Sequence, residues 1–159
     1  MKKIILAVAV FIATSVSLNA QNKTTFSIAG NIGVVTTTYG KLAAGADLQV
    51  DLPATTGLKI TLSGGYENFS YKSTSGIKYN SGFIPLLAGA KFNLSTNLYG
   101  HAQLGYSIST VSGGSGAFTY APSLGYMLSK NFDVSAKYIG LSNNGATSSA
   151  IVARLAYNF

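Results

Sequence analysis

The sequence predicts an all-β fold, an eight-stranded antiparallel up-and-down transmembrane β-barrel. Three observations predict it. Apolar residues recur at every second position in eight separate stretches, the period of a strand with one greasy face. Every charge within those stretches falls on the opposite face, among small and polar residues. Past the N-terminus no run approaches the roughly 20 apolar residues of a spanning helix, so a membrane domain here must be a barrel.

Composition agrees. The 159 residues suggest one domain. Charged residues are 9%, far below the roughly one quarter of ordinary soluble proteins. With 18 Gly, 10 Tyr and 8 Phe, the chain does not have the composition of a disordered one. The absence of Cys excludes disulfides, thiolate metal sites and a lipoprotein anchor. The formal charge is +7, but the bases are scattered rather than clustered, which argues against nucleic acid as a partner.

The chain opens with Lys2 and Lys3, then an apolar run from Ile4 to Val16, then Leu18-Asn19-Ala20. This is the layout of a secretory signal peptide, residues 1–20, with cleavage expected after Ala20 or after Ser17. Residues 21–159 form the barrel domain.

In strand one Phe26, Ile28, Ile32 and Val34 share a face, and Thr36 to Lys41 reads as a loop. Strand two sets Leu42, Leu48, Val50 and Leu52 against Asp47, Gln49 and Asp51, and Pro53 to Gly57 reads as a tight turn. Strand three sets Leu58, Ile60, Leu62 and Tyr66 against Lys59, Thr61 and Glu67. A longer polar loop is expected from Asn68 to Gly82. Strand four carries Ile84, Leu86, Ala88, Ala90 and Phe92, with a short turn at Ser95-Thr96-Asn97. Strand five runs from Leu98 to Ile108 and is followed by the flexible Ser112-Gly113-Gly114-Ser115-Gly116. Strand six runs from Phe118 to Leu128, and strand seven from Phe132 to Tyr138. Gly140 to Thr147 is expected to be a loop before the last strand, Ser149 to Phe159.

Pro85 and Pro122 fall inside strands, where a closed barrel has no free edge for a missing N–H. Pro85 is expected near the loop end of its strand, and Pro122 at a bulge or local kink.

Charge and side-chain size decide which face points outward. Asp47, Asp51, Lys59, Glu67, Lys91, Asp133, Lys137 and Arg154 share the face rich in Gly, Ala, Ser and Thr, as a narrow lumen requires. A Lys or Arg facing lipid at mid-bilayer would cost about 2–4 kcal/mol. The eight charges are therefore expected inside, as an ion-pair network that plugs the lumen. Aromatics on the apolar face form two girdles. One holds Phe26, Phe92, Tyr126, Phe132, Tyr157 and Phe159, the other Tyr66, Tyr106, Phe118, Tyr120 and Tyr138.

The last strand carries Ile151, Leu155, Tyr157 and Phe159 on one parity and ends on Phe159. This resembles the insertion signal of bacterial outer-membrane β-barrels. With it, the mature chain resembles the small eight-stranded barrels of the OmpA transmembrane-domain and OmpX type. The resemblance implies the outer membrane of a Gram-negative bacterium and insertion by the barrel-assembly machinery; no periplasmic domain is expected after the barrel, since the sequence ends with the last strand. It implies a structural or surface-interaction role, adhesin-like, in which the loops meet a host or cell-surface ligand. Lys41, Lys72 and Lys78, in outward loops beside tyrosines, are candidate lipopolysaccharide contacts.

Two alternatives stay open, a lipid A-modifying enzyme and a narrow solute channel. His101 is the only histidine, and it has no Ser two residues on. It is read as a lumen residue, and no catalytic, metal or cofactor site is expected.

Overall fold

A computed structural model describes residues 24–72 and 78–159. The expected signal peptide lies outside them. Eight strands follow one another: β1 (Thr25–Val35), β2 (Gly40–Thr55), β3 (Leu58–Lys72), β4 (Lys78–Asn93), β5 (Leu98–Ser109), β6 (Ala117–Met127), β7 (Phe132–Asn143) and β8 (Ala146–Asn158). Each pairs antiparallel with its neighbours and β8 pairs with β1, so the sheet closes into an up-and-down barrel. Closure leaves no strand edge in the wall.

The greasy parity points out. Phe26, Ile32, Leu48, Leu86, Leu104, Leu124 and Leu155 are all about half exposed or more, whereas Asp47, Gln49, Thr61, Gln103, Lys137 and Arg154 are buried inside. The apolar side chains are thus on the outer wall, and the buried interior is mostly polar. Girdle aromatics pack against one another where strands end. The rings of Phe132 and Tyr157, and of Tyr157 and Phe159, meet edge to face with centroids 5.1 Å apart.

Several connections differ from expectation. The loop expected at 68–82 is mostly strand: β3 runs to Lys72, β4 starts at Lys78, and the ladder pairs Tyr71 with Tyr79. The loop expected at 140–147 shrinks to a turn at Asn144-Gly145, with φ of 47° and 82°. Two successive positive φ angles suit the right-handed twist of a hairpin, and Asn-Gly is the dipeptide that best adopts them. Beyond the apolar band the alternation is no longer greasy against polar, so these extensions gave a weak signal.

The prolines also differ. Pro85 lies in the middle of β4, not near its loop end. Around it the β3–β4 ladder skips Gly65 and Tyr66 and resumes in the same register, while pairing to β5 continues through Pro85 and Ser107. Pro122 makes no bulge. The β6–β7 ladder lacks pairs at Ala121 and Pro122 and resumes unshifted, and Pro122 still pairs with Ala102 of β5. Each missing donor opens one seam over two residues instead of adding a residue.

Candidate functional site: the lumen and the far rim

The lumen has two layers. Nearer the end where β1 begins and β8 ends it is polar, and nearer the far end it is apolar. In the polar layer Arg154 of β8 donates from Nη2 to Asp47 Oδ1 of β2 at 2.7 Å and from Nε to Oδ2 at 3.1 Å. Its Nη1 lies 3.8 Å from Asp133 Oδ1 of β7. Asn31, on the intervening strand β1, donates to Asp47 Oδ2 at 3.0 Å and to Glu67 Oε1 at 2.6 Å. Gly45 stands opposite Glu67 in the β2–β3 ladder, and a Cβ there would overlap the Glu67 carboxylate.

Asp133 is also held by the Tyr99 hydroxyl at 2.5 Å and by Asn158 Nδ2 at 2.9 Å. Tyr99 lies over its cross-strand partner Gly125, where any Cβ would collide with the ring. Lys91 Nζ sits 4.4 Å from the centre of the Tyr99 ring and donates to Asp51 Oδ2 at 3.0 Å. Gln49 donates to the other Asp51 oxygen at 2.6 Å. These contacts run without a break from Glu67 to Asp51.

The eight charges differ in their contacts. Asp47, Asp51, Lys91, Asp133 and Arg154 make ion pairs. Lys59 is only half-buried, and no acid lies within ion-pair distance of it among the described residues. Glu67 and Lys137 are buried without an ion-pair contact among the described residues. His101 is buried with Nε2 2.8 Å from Thr61 Oγ1, inside the wall and away from the outer surface. Among the described residues no group of His, Asp and Glu has the geometry to hold a metal.

The apolar layer was not anticipated. Val35, Ala43, Phe69, Tyr71, Ile139, Leu141 and Val152 form one buried cluster with Phe83 packed against it. Phe69 is fully buried and meets Phe83 edge to face at 5.7 Å. Three of these residues, Phe69, Tyr71 and Leu141, lie where loops were expected, and Ile139 lies just past the expected end of strand seven. Their signal was parity: Phe69 and Tyr71 continue the inward series of Glu67, and Ile139 and Leu141 that of Lys137.

At the far rim, Lys41, Ser70, Tyr71, Lys72 and Asn80 line a groove of about 540 Å³. The rings of Tyr71 and Tyr79 stack at 5.0 Å beside it. Lys41 and Lys72 are exposed, and the side chain of Lys78 lies outside the described residues. The chain has only four acids, Asp47, Asp51, Glu67 and Asp133, and all four are buried in the lumen. The rim cations therefore have no carboxylate beside them. Ile151, Leu155 and Tyr157 face outward on β8, and Phe159, just past its end, is 75% exposed.

Neither a protein-family model nor a curated protein matches the sequence. Solved structures do match. The attachment invasion locus protein Ail of Yersinia pestis, bound to the heparin analogue sucrose octasulfate, is 15% identical, with a TM-score of 0.59 over 86% of this chain and 97% of that one. The N-terminal β-barrel domain of Pseudomonas aeruginosa OprF is 14% identical, with a TM-score of 0.57 over 85% and 97%. A de novo designed transmembrane β-barrel is 16% identical, with a TM-score of 0.55 over 87% and 98%. At such identities the likeness is one of fold. Together with the closed wall and outward apolar face, it places this chain in the fold of the small eight-stranded outer-membrane β-barrels.

Proposed function

We propose that the chain is a surface-interaction barrel of the Gram-negative outer membrane, adhesin-like, whose far rim faces the exterior and binds anionic saccharides. The observation that carries this reading is the separation of charge. Every side-chain carboxylate is spent inside the lumen, and Lys41 and Lys72 are left exposed on one groove with stacked tyrosines beside it. A patch of one sign without counter-charges attracts ligands of the other. Phosphates of lipopolysaccharide and sulfates of host glycans share that chemistry. The sulfated ligand bound by Ail supports the second source by analogy of fold.

In this reading the signal peptide is removed on export, and the terminal strand with Tyr157 and Phe159 is recognised by the barrel-assembly machinery. The lumen is plugged, by the ion pairs and by the apolar layer, and does not conduct. The role is non-enzymatic, in keeping with a His101 that is buried and bonded to Thr61.

The test is binding of the mature barrel, in lipid nanodiscs, to immobilised heparin and to lipopolysaccharide. Lys41→Gln/Lys72→Gln should lose most of the binding, more steeply at low salt. Undiminished binding by that variant would overturn the reading. Unaltered lipid A in cells expressing the barrel is also expected. A His101-dependent change in its acyl pattern would favour an enzyme.

A further inference from the structure

We propose that the lumen holds a binding site for one water molecule, which joins Lys137 to Glu67 beneath the apolar layer. A cavity of about 20 Å³ lies where the two layers meet. Asp47, Ser63, Glu67 and Lys137 are on its wall, and Phe69 and Leu141 are among the side chains that close it. A single water needs about 10–15 Å³ of such space, and two to four polar partners.

Polar partners are present, and one of them, Glu67, is incomplete. Glu67 is 4% exposed; its Oε1 accepts from Asn31, and its Oε2 has no partner. Lys137 is 5% exposed and has no ion-pair contact among the described residues. An ammonium has donors only, and a carboxylate has acceptors only. A water accepts from Lys137 Nζ and donates to Glu67 Oε2, the carboxylate oxygen that lacks a partner. A bound metal cation would face the Lys137 charge across the same small space and be repelled. The site rests on lumen geometry alone and is independent of the rim as a ligand surface. With it filled, the contacts that run from Asp51 to Glu67 extend to Lys137 and stop at the apolar side chains.

Magnetic resonance of the refolded mature barrel in detergent micelles tests this. Cross-relaxation from water to the amide hydrogens of Gly65 and Glu67 is expected, unchanged when Na⁺ is replaced by Rb⁺. It should disappear in Glu67→Leu, whose folding is checked by its heat-modifiable gel migration. Should that variant fail to fold, Lys137→Met keeps the acceptor, removes the donor and is expected to weaken the same peaks severalfold. Absence of the peaks in the unsubstituted barrel would overturn the proposal. So would amide shifts at Gly65 and Glu67 that titrate with Na⁺ or Rb⁺, because a cation would then occupy the cavity.

Discussion

Arg154 and Asp47 are 107 residues apart in sequence and sit on strands that do not pair, yet the Arg154 guanidinium meets the Asp47 carboxylate with a closest contact of 2.7 Å. The contact reaches across β1, where Asn31 fills the gap and donates to the same carboxylate. A fork-shaped donor group against a carboxylate is the strong geometry for a buried pair. Arg154 also reaches toward Asp133, so one cation serves acids on both sides of β8.

Arg154→Met should therefore destabilise the barrel by about 3–5 kcal/mol, because it strands Asp47 without its counter-charge. Urea unfolding in lipid vesicles measures this. Adding Asp47→Leu to Arg154→Met should recover part of the loss, since the uncompensated charge is then gone. A double variant as unstable as the sum of the singles would argue that the pair contributes nothing as a pair.

Tyr99 depends on Gly125. The ring lies where a Cβ at 125 would stand, and its hydroxyl holds Asp133. Tyr99→Phe should cost about 1–3 kcal/mol by removing a donor from a buried carboxylate. Gly125→Val should be at least as damaging, and combined with Tyr99→Phe it should be less than additive. The same unfolding assay reads all three variants.

The Asn144-Gly145 turn joins β7 to β8 with a φ of 82° at the glycine. Gly145→Val forces a β-branched residue into that region, and a loss of about 1–3 kcal/mol is expected. Hydrogen exchange should show it locally, as faster exchange of the Ser142 and Thr147 amides, with those near Arg154 unchanged.

How much of this was legible in the sequence depends on which physical signal was strong. Within the bilayer-height band, lipid on one side and a tight lumen on the other impose strict alternation. Leu48 beside Gln49, or Leu155 beside Arg154, shows it, so strand number and facing could be read directly. At the far end both faces lose that contrast, and the strands at 68–72, 78–82 and 140–143 looked like loops. Asn144-Gly145 was the available clue to the second hairpin. The identity of the charge partners was not readable. Which acid meets Arg154 depends on how far the closed ladder is staggered, and alternation along one strand carries no information on that. The prolines misled because a barrel seam tolerated two missing pairs without a register change.

The central claim is that the apolar side of each strand faces hydrocarbon. Leu48→Arg should then cost about 2–4 kcal/mol in vesicles, as Leu48 is 63% exposed at the middle of β2. The most direct measurement is a spin-label scan of single cysteines from Ala46 to Asp51 in bilayers, which the cysteine-free chain makes clean. Labels at Ala46, Leu48 and Val50 should be reached by oxygen and shielded from a water-soluble nickel reagent, with the opposite or crowded behaviour at Asp47, Gln49 and Asp51. Nickel access at Leu48 equal to that at a rim residue, or the loss of the two-residue period, would contradict the account.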